Sequence, residues 1–130
     1  KEQPDAHKKP MYVGIYQVGP QQRSLSGKQI EELAHLSGTT PEEYIADQMV
    51  YPANLLAKNI SGYALCEFTI DKEGVILRPH ILKATHSEFA EEALRIVKGM
   101  PKWSPALAGG ERTDSNYTLY IPFRPKLYKP

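Results

Sequence analysis

The stretch GYALCEFTI at positions 62–70, followed by DKEG at 71–74 and VILRPHILK at 75–83, decides the fold. Ala64, Cys66, Phe68 and Ile70 alternate with Tyr63, Leu65, Glu67 and Thr69. A period of two is the mark of a strand with two distinct faces. Asp71-Lys72-Glu73-Gly74 reads as a hairpin turn, with Gly74 suited to the left-handed position. The return strand runs over 75–83. Pro79 within it lacks the N–H that a sheet interior needs, so it marks a bulge or an edge.

Downstream, Ser87 reads as the cap of a helix whose apolar stripe is Phe89, Ala93, Ile96 and Val97. Glu91, Glu92, Arg95 and Lys98 fall on its water side, and Gly99 suits its end. Pro101 and Pro105 bracket Trp103 and exclude regular helix there. Trp103 is read as a core anchor of the crossover in preference to a ligand-stacking residue, because its ring buries so much apolar area. Gly109-Gly110 is a turn, and Ser115–Phe123 is the last strand, with Tyr117, Leu119, Ile121 and Phe123 on one face. Pro122 places that strand at an edge.

Upstream, the polar residues 1–10, with Pro4 and Pro10, read as a tail. In 11–18, Met11, Val13 and Ile15 alternate with Tyr12, Gly14 and Tyr16, which predicts a short strand closed by Gly19-Pro20. Residues 26–36 read as a short helix: Ser26 is the cap, Ile30, Leu33 and Leu36 share a face, and Gly38 ends it. A second helix has fuller grammar, with Thr40 as cap, Pro41 in the first turn and Glu43 closing a capping box. Tyr44, Ile45, Ala46 and Met49 form its apolar side. Tyr51-Pro52 interrupts it, and Pro52 starts a further short helix carrying Leu55 and Leu56. The expected architecture is α+β: a small antiparallel three-stranded sheet with two helices packed on one face, plus an N-terminal strand and helix extension. The division is 1–40 for tail and extension and 41–130 for the domain.

Composition narrows the function. The 130 residues are 41% hydrophobic, enough for a core. Sixteen basic residues stand against 15 acidic ones, so no strong field collects nucleic acid. Cys66 stands alone and is expected to be buried and inert. His7, His35, His80 and His86 match no standard ligand spacing, so no metal or other cofactor is expected. Glu42, Glu43, Glu91 and Glu92 sit in first turns or on polar faces, and no nucleophile motif accompanies them, so no catalysis is expected. No run of 18 or so apolar residues could span a bilayer, and the chain starts at Lys1, as after removal of a leader or anchor.

Several pieces stand in the order and spacing of one family. Tyr51-Pro52, Gly62, Phe68-Thr69-Ile70-Asp71, Gly74-Val75, Glu92-Ala93-Leu94-Arg95, MPKWSPA at 100–106, and Tyr117-Thr118-Leu119 on to Phe123 resemble TonB C-terminal domains of the Bacteroidetes type, over residues 41–123. The resemblance implies a periplasmic, non-enzymatic domain. Such domains add the TonB-box peptide of an outer-membrane transporter as a strand beside the last strand, for energy-coupled nutrient uptake. It implies coupling to a proton-driven inner-membrane complex through an N-terminal anchor absent from this chain. A homodimer is a further partner expectation. By the same resemblance the peptide-binding residues are Gln48, Tyr51 and Pro52, with Ser115, Asn116, Tyr117, Thr118, Leu119, Tyr120 and Ile121. Many members carry a proline after the glutamine; here it is Met49. The alternative is a soluble structural or assembly module that reuses the fold without energy transduction. One expectation is specific to this chain. The apolar strand at 11–18 should lie on the domain and can cover the open edge of the last strand, where it would compete with peptide.

Overall fold

The computed structural model describes residues 15–16, 24–25 and 27–128. The expected tail 1–10, Gly19-Pro20 and Ser26 lie outside the described residues, as does the strand expected over 11–18 apart from Ile15 and Tyr16. The elements in chain order are β1 (Ile15–Tyr16), β2 (His35–Leu36), α1 (Pro41–Gln48), α2 (Ala53–Ala57), β3 (Gly62–Ile70), β4 (Ile76–Ala84), α3 (Ser87–Lys98), β5 (Trp103–Ser104), β6 (Ala106–Ala108), β7 (Glu111–Thr113) and β8 (Ser115–Phe123). A single 3-10 turn, Pro125–Leu127, follows.

The three long strands form the expected antiparallel sheet, with β3 in the middle, and β1 adds a short fourth, in the order β1-β8-β3-β4. β3 and β8 pair without interruption from Gly62–Phe123 to Ile70–Ser115. The β3–β4 ladder instead shifts twice, between Leu65 and Cys66 and between Glu67 and Thr69. The second shift is where Arg78 takes a left-handed φ of 52° beside Pro79. The proline thus sits at a bulge in an edge strand, where its missing N–H is tolerated.

In the hairpin turn the Asp71 carboxylate accepts from the backbone N–H of Glu73 and Val75, at 2.8 and 2.9 Å. Gly74 has φ +84° and accepts from the Trp103 N–H at 2.9 Å. A Cβ there would collide with the Trp103 carbonyl oxygen, so glycine is required by approach as well as by φ.

One face of the sheet is closed by α3, which packs on β3 and β4. Ile45, Met49, Tyr51 and Leu55 enter the same core from α1, α2 and their joint. Phe89 stacks on Phe123 with centroids 4.2 Å apart, and Trp103 meets Phe68 at 5.8 Å and Tyr117 at 4.7 Å. Trp103 is 3% exposed, which agrees with its reading as a core residue. Phe68, Ile121 and Phe123 lie deep in this core, and Leu94 packs against it from a half-buried position.

Three local readings are corrected. The helix expected over 26–36 does not form in its described residues. Glu31 and Glu32 send their N–H groups to the Leu107 carbonyl, at 2.7 and 3.2 Å, and Leu36 pairs with Trp103. Ile30, Ala34 and Leu36 are buried while Leu33 is 45% exposed, a pattern that fits no helix face. A tertiary partner supplies the backbone bonds, so local helix preference loses. Second, His86 and not Ser87 occupies the cap position of α3. It is extended, with φ −146°, and its ring lies edge-on to Phe89. Third, Glu92 does not face water but is buried.

Two tests follow from this packing. Phe68→Ala should lower stability by about 3–5 kcal/mol in denaturant titration; a variant that melts within a degree or two of the parent would place Phe68 outside the core. The second concerns alkali. Burial pushes the Cys66 thiol from 9.0 up to about 12 and the Tyr51 hydroxyl from 10.0 up to about 12. Burial, and then the charge of Glu42, do the same for Tyr117. The folded state keeps these protons while the unfolded chain releases them. Their contribution is therefore complete below pH 9 and is lost as pH rises through 9 to 12. Denaturation midpoints should fall across that window; a flat profile would contradict the burial of these groups.

Candidate functional site

The polar backbone of β8 can be assigned side by side from two bonds on its neighbour. The Tyr63 N–H donates to Thr85 Oγ1 at 3.0 Å, and the Thr85 N–H donates to the Tyr63 carbonyl at 3.0 Å. Tyr63 thus turns its donor and acceptor toward β4, and its pair with Pro122 in β8 is a non-hydrogen-bonded one. The Pro122 backbone faces the opposite way, to the outer side of β8. Alternation then directs the N–H and C=O groups of Asn116, Thr118 and Tyr120 outward, and those of Ser115, Tyr117, Leu119 and Ile121 toward β3. The missing N–H of Pro122 therefore removes no bond from the central ladder. It ends the row of outer donors.

That outer side carries β1. Ile15 pairs with Leu119 and Tyr16 with Thr118, antiparallel. The expected cover of the last strand is thus present in the described part of 11–18.

The side chains of β8 divide by the same alternation. Tyr117, Leu119, Ile121 and Phe123 face the core. On the other face the Asn116 amide oxygen accepts from Thr69 Oγ1 at 2.8 Å, and Tyr120 stacks on Tyr63 at 5.4 Å. Thr118 is fully buried, and its Oγ1 has no hydrogen-bond partner among the described residues.

Gln48, Tyr51 and Pro52 lie elsewhere. Gln48 is exposed beside α3, and its carbonyl accepts from Arg95 Nη2 at 2.7 Å. Tyr51 is 3% exposed and donates from its hydroxyl to the Ile60 carbonyl at 2.6 Å. Its ring meets Phe89, Phe123 and Tyr128. Pro52 caps α2. The structure therefore brings Tyr51 to the end of β8 from inside the core. It groups Asn116, Thr118 and Tyr120 together and leaves Gln48 beside α3.

Glu92 is a residue that the sequence reading misplaced. Its carboxylate accepts from the Val50 N–H at 2.7 Å and takes a two-pronged bond from Arg95, at 2.8 Å from Nε and 2.7 Å from Nη2. It ties the end of α1 to α3. The signal available was Arg95 at i+3, a spacing that pairs opposite charges on a helix. Among the described residues, no three His, Cys, Asp or Glu side chains gather where they could hold a metal ion. No described helix is long and apolar enough to cross a membrane.

Comparison with known proteins agrees with this architecture. No curated protein sequence matches the chain. Among solved structures, the TonB2 protein from Vibrio anguillarum superposes with a TM-score of 0.50, covering 86% of this chain and 91% of that chain at 18% identity. That likeness is one of fold. In sequence, residues 47–125, more than half of the chain, match the family described as Gram-negative bacterial TonB protein C-terminal. The family is periplasmic and transport-associated. The chain belongs to the TonB C-terminal family.

Proposed function

We propose that this domain binds extended peptides from outer-membrane transporters along the outer edge of β8, as the periplasmic part of energy-coupled nutrient uptake. The observation that supports this reading best is the row of outward backbone groups at Asn116, Thr118 and Tyr120, an edge that already accepts a strand, β1. Main-chain bonds give such a complex its affinity, and side chains beside the edge give it selectivity. Each bond nets about 0.5–1.5 kcal/mol, so a short peptide binds on roughly a micromolar scale. Ser115–Ile121 forms the receiving strand. Tyr51 contributes by fixing its far end through Phe123, while Pro52 stands at the start of α2 and Gln48 against Arg95. Transmission from a proton-driven inner-membrane complex is proposed on the family's behaviour.

The cover by β1 favours a second reading, a structural module whose edge is permanently filled. One titration separates the two. Isotope-labelled protein titrated with transporter N-terminal peptides should shift the amides of Asn116, Thr118 and Tyr120 first. Shifts centred on Trp103 or on the histidines would move the site. Silence with every transporter peptide from the same cell would favour the structural module.

A further inference from the structure

We propose that β1 is a tethered, displaceable occupant of the peptide edge, so that the domain rests in a self-inhibited state and a peptide binds only by exchanging with β1. This rests on the reading of β8 as the peptide edge. Three observations carry it.

The first is position. Tyr16 of β1 pairs with Thr118, the middle member of the three residues that point their backbone outward. A peptide adding to this edge needs the same bonds, so β1 and peptide exclude each other. The opposite edge of the sheet offers no substitute, because β4 is bulged, with Arg78 left-handed beside Pro79.

The second is imperfection. β1 is paired with Thr118 through Tyr16. Under it, Thr118 Oγ1 is buried without a partner. A buried hydroxyl left unpaired is unfavourable. A peptide with an acceptor side chain opposite Thr118 would satisfy that hydroxyl as well as replace the backbone bonds. The preferred occupant is therefore an extended segment with a hydrogen-bonding side chain at that position.

The third is attachment. The chain after β1 is held to the domain independently. The Leu25 N–H donates to Asp114 Oδ1 at 3.0 Å, Leu107 exchanges bonds with Glu31 and Glu32, and Leu36 pairs with Trp103. Ile30, Ala34 and Leu36 are buried in this segment. β1 can leave β8 while its anchor stays docked. It then remains at high effective concentration beside the edge, where even a short strand competes well.

The test uses the whole chain. A Tyr16→Cys/Thr118→Cys variant places two thiols at a hydrogen-bonded antiparallel pair, whose Cα separation of about 5.5 Å suits a disulfide. Cys66 faces the core and stays apart. Binding of a transporter N-terminal peptide is then compared between oxidised and reduced forms of the same protein. Oxidation should abolish binding, and reduction should restore it. In a second variant, Tyr16→Pro, the donor to Thr118 is lost. Peptide affinity should rise about tenfold, the equivalent of about 1.4 kcal/mol of lost β1 pairing. Without peptide, amide exchange at Thr118 should speed up. If peptide binds the oxidised form as tightly as the reduced one, both this proposal and the edge reading fall. If peptide shifts Asn116, Thr118 and Tyr120 but Tyr16→Pro changes neither affinity nor Thr118 exchange, β1 is no competitor, and this proposal falls while the edge reading stands. If Thr118 exchange rises in Tyr16→Pro but no form binds peptide, the edge reading fails and takes the inhibitory role with it. Dimerisation of Tyr16→Pro in place of peptide binding would assign the vacated edge to a second copy and overturn the proposal.

Discussion

The unbroken antiparallel ladder between β3 and β8, from Gly62 with Phe123 to Ile70 with Ser115, places nearly everything else in the molecule. Side chains alternate across a strand, so a slip of β8 by one residue would turn Tyr117 away from the core face on which Phe68 stays. The ladder instead stacks Phe68 on Tyr117 at 5.9 Å and carries Phe123 to Phe89. Aromatic contacts of this kind contribute about 0.5–1.5 kcal/mol each beyond their burial. On the other face, the same register sets Thr69 against Asn116. The direction of every donor and acceptor on β8 follows from it too, including the harmless outward position of Pro122.

The two edges of the sheet are protected by different physics. β4 is distorted: an extra residue at each of two bulges, a left-handed Arg78 and a proline spoil it as a template. β8 is regular throughout its length and is covered instead, by β1. A cover held by backbone bonds can be exchanged, whereas a bulge cannot be undone without refolding the strand. This asymmetry is what makes one edge a candidate for peptide and the other not.

Around the ladder, a few polar ties fix the helices and the crossover. Glu92 is bound from both sides, by the Val50 N–H and by Arg95. The bond from Arg95 to the Gln48 carbonyl satisfies one of the acceptors that the end of α1 leaves open. The Tyr51 hydroxyl reaches the Ile60 carbonyl and so closes the segment around α2. Gly74 accepts the Trp103 N–H, which brings the hairpin turn against the crossover. Most of these ties join elements that are distant in sequence.

Legibility in the sequence divided along the range of the forces involved. β3, its turn, β8 and the caps of α1 could be read because their signals are local: a period of two, an Asp-x-x-Gly turn, and Thr40 bonded to the Glu43 N–H at 3.1 Å. The burial of Trp103 and Cys66 followed from side-chain chemistry and strand phase. The state of residues 26–36 did not follow, because their backbone bonds go to Leu107 and Trp103, which no local preference encodes. Nor did the burial of Glu92, whose partner Val50 lies 42 residues away. For the candidate site, the sequence by itself determined that an apolar strand at 11–18 and an edge strand at 115–123 were both present and needed cover. Only the tertiary structure decided that they meet, at Tyr16 and Thr118, with the Thr118 hydroxyl left unpaired. Strand pairing depends on which backbone groups remain open once every other element is in place, and that is a property of the assembled sheet.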